Sequence, residues 1–216
     1  MQNETIDLNK LLSEYPNMSE LSKRSWIAYG LNNELTDLLD VFSEDIQLAR
    51  YCREIPQLIH QLKTKSLHWL FQKNILTNET RDLGGYHMLY HCLHASRLNP
   101  TDPRPIEIVS LFLQNGTDIF SLNLVNLDRC YKFSAIEMAA SNLDVRMVEF
   151  LLDHDATPCE TGDNPETRNA IYYANHPIPV ATNVEKSKKQ IFNLFYQYGY
   201  GIDMDVEAYE RHRNLI

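Results

Sequence analysis

Three histidines and a cysteine crowd one short stretch, His87, His91, Cys92 and His94, with His60 and His68 upstream. His87 and His91 are four residues apart, so on a helix they share a face and could hold a metal ion. A cysteine beside histidines could also supply a thiolate nucleophile, but no neighbouring group is implied that would lower its pKa. A metal-binding or Cys/His-dependent enzyme using His87, His91, Cys92 and His94 is therefore one function class. The simpler reading is a packed thiol with surface or capping histidines, which predicts no catalytic residue, no metal and no cofactor. No phosphate-binding glycine loop, Gly-x-Ser-x-Gly elbow, His-Glu-x-x-His pair or calcium loop occurs, and seven glycines leave little material for a phosphate cradle.

Bulk composition narrows the partners. The 216 residues are 44% hydrophobic and 23% charged, which suits a globular chain of one core or two small ones. A formal net charge of −9 argues against nucleic acid and against anionic membrane, both of which favour basic surfaces. The opening Met1-Gln2-Asn3-Glu4-Thr5 lacks the basic and apolar regions of a signal peptide, and no apolar run is long enough to cross a bilayer. Cys52, Cys92, Cys130 and Cys159 are scattered, which predicts reduced thiols and a cytoplasmic protein.

The elements that must position these residues read as helices. Leu8, Leu11, Leu12 and Tyr15 mark a first helix closed by Pro16. Ser19 is placed to cap a second helix that Gly30 would end. Leu35 to Ala49 keeps helical spacing up to Pro56, and a further helix is expected from about 57 to 73. From Asp82 onward, short helical runs alternate with turns. The clearest is Ser134 to Ala140, a polar turn, then Val145 to Ala156, two apolar helices forming a hairpin. Similar runs occur at Gly85 to Leu93 with Ile106 to Ile119, and at Asn169 to Ala174 with Gln190 to Tyr200. Ala139, Leu151, Leu152, Leu111, Leu113 and Leu194 are the expected core. Tyr172, Tyr173, Phe192, Phe195 and Tyr196 are expected to pack in the stack, and Arg146, Lys186, Lys188 and Lys189 to decorate exposed helix faces.

These runs resemble the ankyrin repeat, about 33 residues of β-turn and two helices. Ser134-Ala135-Ile136-Glu137-Met138-Ala139 stands where the family has Thr-Pro-Leu-His, an apolar residue and Ala. Leu151-Leu152 with Asp155-Ala156-Thr157, and Phe112-Leu113 with Gly116-Thr117-Asp118, stand where the second helix ends. The copies are degenerate and carry insertions, and none has the intact Thr-Pro-Leu-His. The resemblance, over about residues 67–202, implies an all-α, ankyrin-type helical-hairpin solenoid with β-turn or hairpin fingers. Residues 1–55 would form an N-terminal helical cap, 56–204 the repeat stack and 205–216 a tail. It also places Cys92 where the family has a buried small residue, and His87 at a helix start.

The function implied is binding another protein through fingertips and the concave face. Carried over by position, the contact residues are Leu83, Tyr86, His94, Leu124, Tyr131, Phe133, Ser141, Asn142, Arg168 and His176. The segment from Ile119 to Phe133 alternates apolar and polar residues, as a β-hairpin finger would. Degenerate ankyrin-like chains are common among effectors sent into host cells, so a host-directed effector or adaptor is one setting the resemblance allows, although irregular repeats are not evidence of origin.

Overall fold

The computed structural model describes residues 7–43, 54–118, 134–158, 170–177 and 184–200. These residues are mostly helical and contain no strand; one isolated antiparallel bridge joins Arg81 and His87. In order the helices are α1 (Leu8–Glu14), α2 (Glu20–Asn33), α3 (Thr36–Val41), α4 (Glu54–His60), α5 (Thr64–Gln72) and α6 (Met88–Leu98). They continue as α7 (Arg104–Gln114), α8 (Ala135–Ser141), α9 (Val145–Leu152), α10 (Ala170–Asn175) and α11 (Val184–Gln197). The chain divides into two compact units, one of Met1–Ala95 with Glu107–Thr117 and one of Ser96–Ile106 with Asp118–Ile216. Residues 55 and 56 lie in α4.

In the first unit α2 packs on α3 and α4, and α5 packs on α3 and α4. Ser19 caps α2 as expected, its hydroxyl accepting from the Ser22 amide. Gly30 does not end that helix, which runs on to Asn33 and closes on Glu34 in the left-handed region at φ 56°. A Cβ at residue 30 would meet Leu39 Cδ2 at 2.8 Å, so this glycine serves the close approach of α3. Glu34 then bonds the Lys65 amide near the start of α5 at 2.9 Å. The expected single helix over 57–73 is two, because buried Leu62 turns left-handed at φ 57° between α4 and α5. Pro56 lies in the first turn of α4, where its missing N–H costs no helical bond. The core includes Ile27, Leu31, Leu38, Leu39, Phe42, Leu58, Ile59, Leu67 and Leu70. Ser66, buried among them, donates to the Leu31 carbonyl at 2.7 Å. Leu111 and Leu113 are only half-buried, because α7 turns Ile108, Val109 and Phe112 inward. At the edge, Asp40 accepts from Trp69 Nε1 at 3.0 Å and pairs with Lys73 Nζ at 2.7 Å. The Lys73 bond holds its carboxyl below the usual range.

In the second unit α8 packs on α9 and α10, and α11 packs on α9 and α10. Three residues, Asn142-Leu143-Asp144, join α8 to α9; Leu143 adopts φ 55°, and the short turn reverses the chain so that the helices pair. Both starts are capped. The Ser134 hydroxyl accepts from the Glu137 amide at 3.3 Å, and the Glu137 carboxylate accepts from the Ser134 amide at 2.7 Å. The Asp144 carboxylate accepts from the Met147 amide at 3.1 Å. Ala139, Leu151, Leu152 and Leu194 are buried as expected. Tyr196 is 66% exposed rather than packed, and α11 buries Ile191, Leu194 and Phe195. Arg146 is not a free surface cation: it donates to the carbonyls of Pro100 and Asp102, each at 2.9 Å. Asp102 in turn pairs with Arg104 at 2.6 Å, which lowers its pKa to about 2.

Candidate functional site

The site grows from the turn between Arg81 and His87. One carboxylate oxygen of Asp82, Oδ1, accepts from the Gly84 amide at 2.8 Å and the Tyr86 amide at 2.9 Å. The Asp82 amide donates to the Tyr86 carbonyl at 2.9 Å, and Gly85 supplies the left-handed residue at φ 79°. This tight loop lifts Leu83 into solvent, 66% exposed.

From the turn a row of rings continues along α6. Tyr86 stacks on Tyr90 with centroids 4.9 Å apart, and Tyr90 lies over His94 at 6.4 Å with planes 22° apart. Spacing of four residues puts all three on one side. They are half-buried, so each ring supports the next and keeps an edge in solvent. Tyr86 and His94 are thus linked through Tyr90, and Leu83 stands exposed on the turn before them. Tyr90, which sequence reasoning passed over, is the rung that joins them; its signal was the i, i+4 relation to both neighbours.

Behind the row sits a histidine cluster. His91 Nε2 lies 2.9 Å from Asp82 Oδ2, with both side chains largely covered, at 12% and 16% exposure. His91 Nδ1 lies 3.3 Å from His60 Nε2. His60 also meets the His94 ring, with centroids 5.3 Å apart. Burial, and then the neighbouring His91 and His94, hold the His60 pKa below its ordinary value.

The four residues that suggested chemistry do not converge. His87 stands at the start of α6, where Nδ1 accepts from the Leu89 amide at 3.1 Å, and its burial lowers its pKa. Cys92 is fully buried and its thiol donates to the Met88 carbonyl at 3.4 Å. Burial pushes that thiol well above the usual pKa, which opposes thiolate chemistry. Among the described residues, no three His, Cys, Asp or Glu side chains form a group that could hold a metal ion.

In the second unit Ser141 is buried and has little side chain to offer a partner. Asn142 is half-buried at the end of α8, its amide donating to the Met138 carbonyl at 2.9 Å. His176, just past the end of α10, is exposed and stacks on Tyr172 at 4.3 Å, repeating the four-residue spacing of the Tyr90–His94 pair. Leu124, Tyr131, Phe133 and Arg168, and with them the expected finger over 119–133, lie outside the described residues.

A separate groove of about 590 Å³ in the first unit is lined by Asp40, Lys65, His68, Trp69, Glu107 and Leu111 among others. No helix of the described residues is long and apolar enough to cross a membrane. No family model, curated protein or solved structure matches the chain.

Proposed function

We propose that this chain is a protein-binding module of degenerate ankyrin type, and that Leu83, Tyr86, Tyr90 and His94 form part of its contact surface. The observation that carries this reading is the row of stacked, half-exposed rings rising from the Asp82 turn. Aromatic rings give a partner large area with few rotors to freeze, and tyrosine adds a polar tip. The rings are held before binding by their neighbours, so little order has to be gained on association. The capped α8–α9 hairpin, with its small residues and paired leucines, supports the ankyrin comparison. The Tyr172–His176 pair repeats the same chemistry on α10. The acidic balance favours a protein partner over nucleic acid. The cytoplasmic, effector-like or adaptor setting belongs to this proposal as well. A buried thiol of raised pKa weighs against the Cys/His enzyme alternative.

The test is quantitative affinity capture with the unmodified chain and with a Tyr86→Ala/Tyr90→Ala double variant. Loss of about 2 kcal/mol or more of affinity for the captured protein, with helical circular dichroism unchanged, is the expected result. Equal affinity in a well-folded double variant would remove this surface from the function.

A further inference from the structure

His60 meets two further imidazoles, its ring centroid lying 5.4 Å from that of His91 and 5.3 Å from that of His94. With the rings neutral, the hydrogen bonds allow one arrangement of protons. The Asp82 carboxylate accepts, so His91 carries its proton on Nε2, 2.9 Å away. His91 Nδ1 is then an acceptor, and His60 donates to it from Nε2 at 3.3 Å. That leaves His60 Nδ1 without a proton, and it is buried with no hydrogen-bond partner. A neutral imidazole nitrogen tolerates that position, whereas an N–H there would be a buried, unsatisfied donor.

We propose that this cluster is a proton-operated latch, closed when His60 is neutral and opened when His60 takes up a proton. The closed latch ties the end of α4 to α6. An imidazolium at His60 would have no acceptor at Nδ1 and would face two further imidazoles at close range. The groups acting on His60 are His91 and His94 of α6; α2 and α5, the other helices packed on α4, add none among the described residues. His91 is faced by Asp82 and Tyr90, and His94 by His60 and Tyr90. On α4 itself the other acid or base is Glu54, at the far end of the helix. When His60 leaves, its departure needs little else to move, because α4 ends there and left-handed Leu62 forms the joint to α5.

The consequence reaches the contact surface, because His94 is both a member of the cluster and the last rung of the ring row. Partner binding would be favoured at neutral pH and weakened in acid. This consequence rests on the proposed function; the latch itself does not.

The test uses the full chain without a partner, so it can fail or succeed independently of the binding proposal. Imidazole nitrogen NMR follows His60, and amide hydrogen exchange, corrected for the pH dependence of intrinsic exchange, follows residues 54–62 between about pH 7.5 and pH 5. The expected result is that His60 gains its Nδ1 proton together with a roughly tenfold or greater loss of protection at the end of α4, while α2 keeps its protection. In His60→Gln the protection of residues 54–62 should not change across the same range. Protonation of His60 without loss of protection would overturn the latch. So would a neutral His60 throughout, or an unchanged acid loss in His60→Gln. The unmodified chain decides the first two outcomes whether or not the variant folds.

Discussion

Helices α6 and α8 hold the same place in the proposed repeat alignment, yet they use their surfaces in opposite ways. All seven residues of α8 are buried, including Glu137 and Ser141. In α6 the buried positions are Met88, Leu89, Cys92, Leu93, Ala95 and Ser96, while Tyr90 and His94 stay half-exposed. With His87 set against Ser134, Tyr90 falls opposite Glu137 and His94 opposite Ser141. Glu137 is short enough to fold back on its own helix start, and Ser141 is small enough to be covered. A tyrosine and a histidine at those two positions fit neither role, so they stack on each other and remain at the surface. Cys92 and Ala139, opposite one another, are both buried. Two side chains therefore separate a helix that fills a core from one that presents a face.

The largest expected effect tests the core side of this contrast. Leu151→Ala, on the helix that covers α8, should lower unfolding free energy by about 2–5 kcal/mol in urea denaturation. A value near zero would show that α8 and α9 are not held by this contact. Removing the cap should matter less. Ser134→Ala should cost about 1 kcal/mol, because it leaves the Glu137 amide unpaired and frees the carboxylate that completes the box.

Acid should act through the first unit more than through the α8 hairpin. His60 and His87 both have folded pKa values below the unfolded value of about 6.5. Between those values the unfolded chain binds more protons, so their contribution is complete above about pH 6.5 and is lost as pH falls through the window. Melting temperature should therefore drop from neutral pH toward pH ~5.5, and less in His60→Gln. An equal drop in that variant would remove His60 from the acid response. The smallest effect belongs to the presenting face. Tyr90→Ala should change stability by no more than about 0.5 kcal/mol, because the ring covers little of the core. A cost near that of Leu151→Ala would make Tyr90 a core residue and dissolve the contrast.

Local chemistry was legible wherever a decision involved neighbours along the chain. Ser19, Ser134 and Asp144 cap helices because a hydroxyl or carboxylate just before the first turn is an acceptor within reach of an orphan amide. Spacing marks Val145, Val148, Leu151 and Leu152 as a core stripe; the last three are buried, while Met147 is buried in place of the half-buried Val145.

Other decisions needed partners distant in sequence. Gly30 carries the usual mark of a helix end, but Leu39 packs against its missing side chain and the helix continues. Buried Leu62 divides a run that reads as one helix, since its side chain is covered only when the backbone turns there. The four His and Cys residues share a stretch of sequence, yet His87 caps, Cys92 packs, and His91 and His94 meet a histidine from α4. Sequence by itself determined the caps, the helical stripes and the absence of a basic footprint, because these depend on residues within a few turns or on composition. Only tertiary structure decided that Asp82, His91 and His60 share one hydrogen-bonded line, because helix packing brings together groups that 31 residues separate.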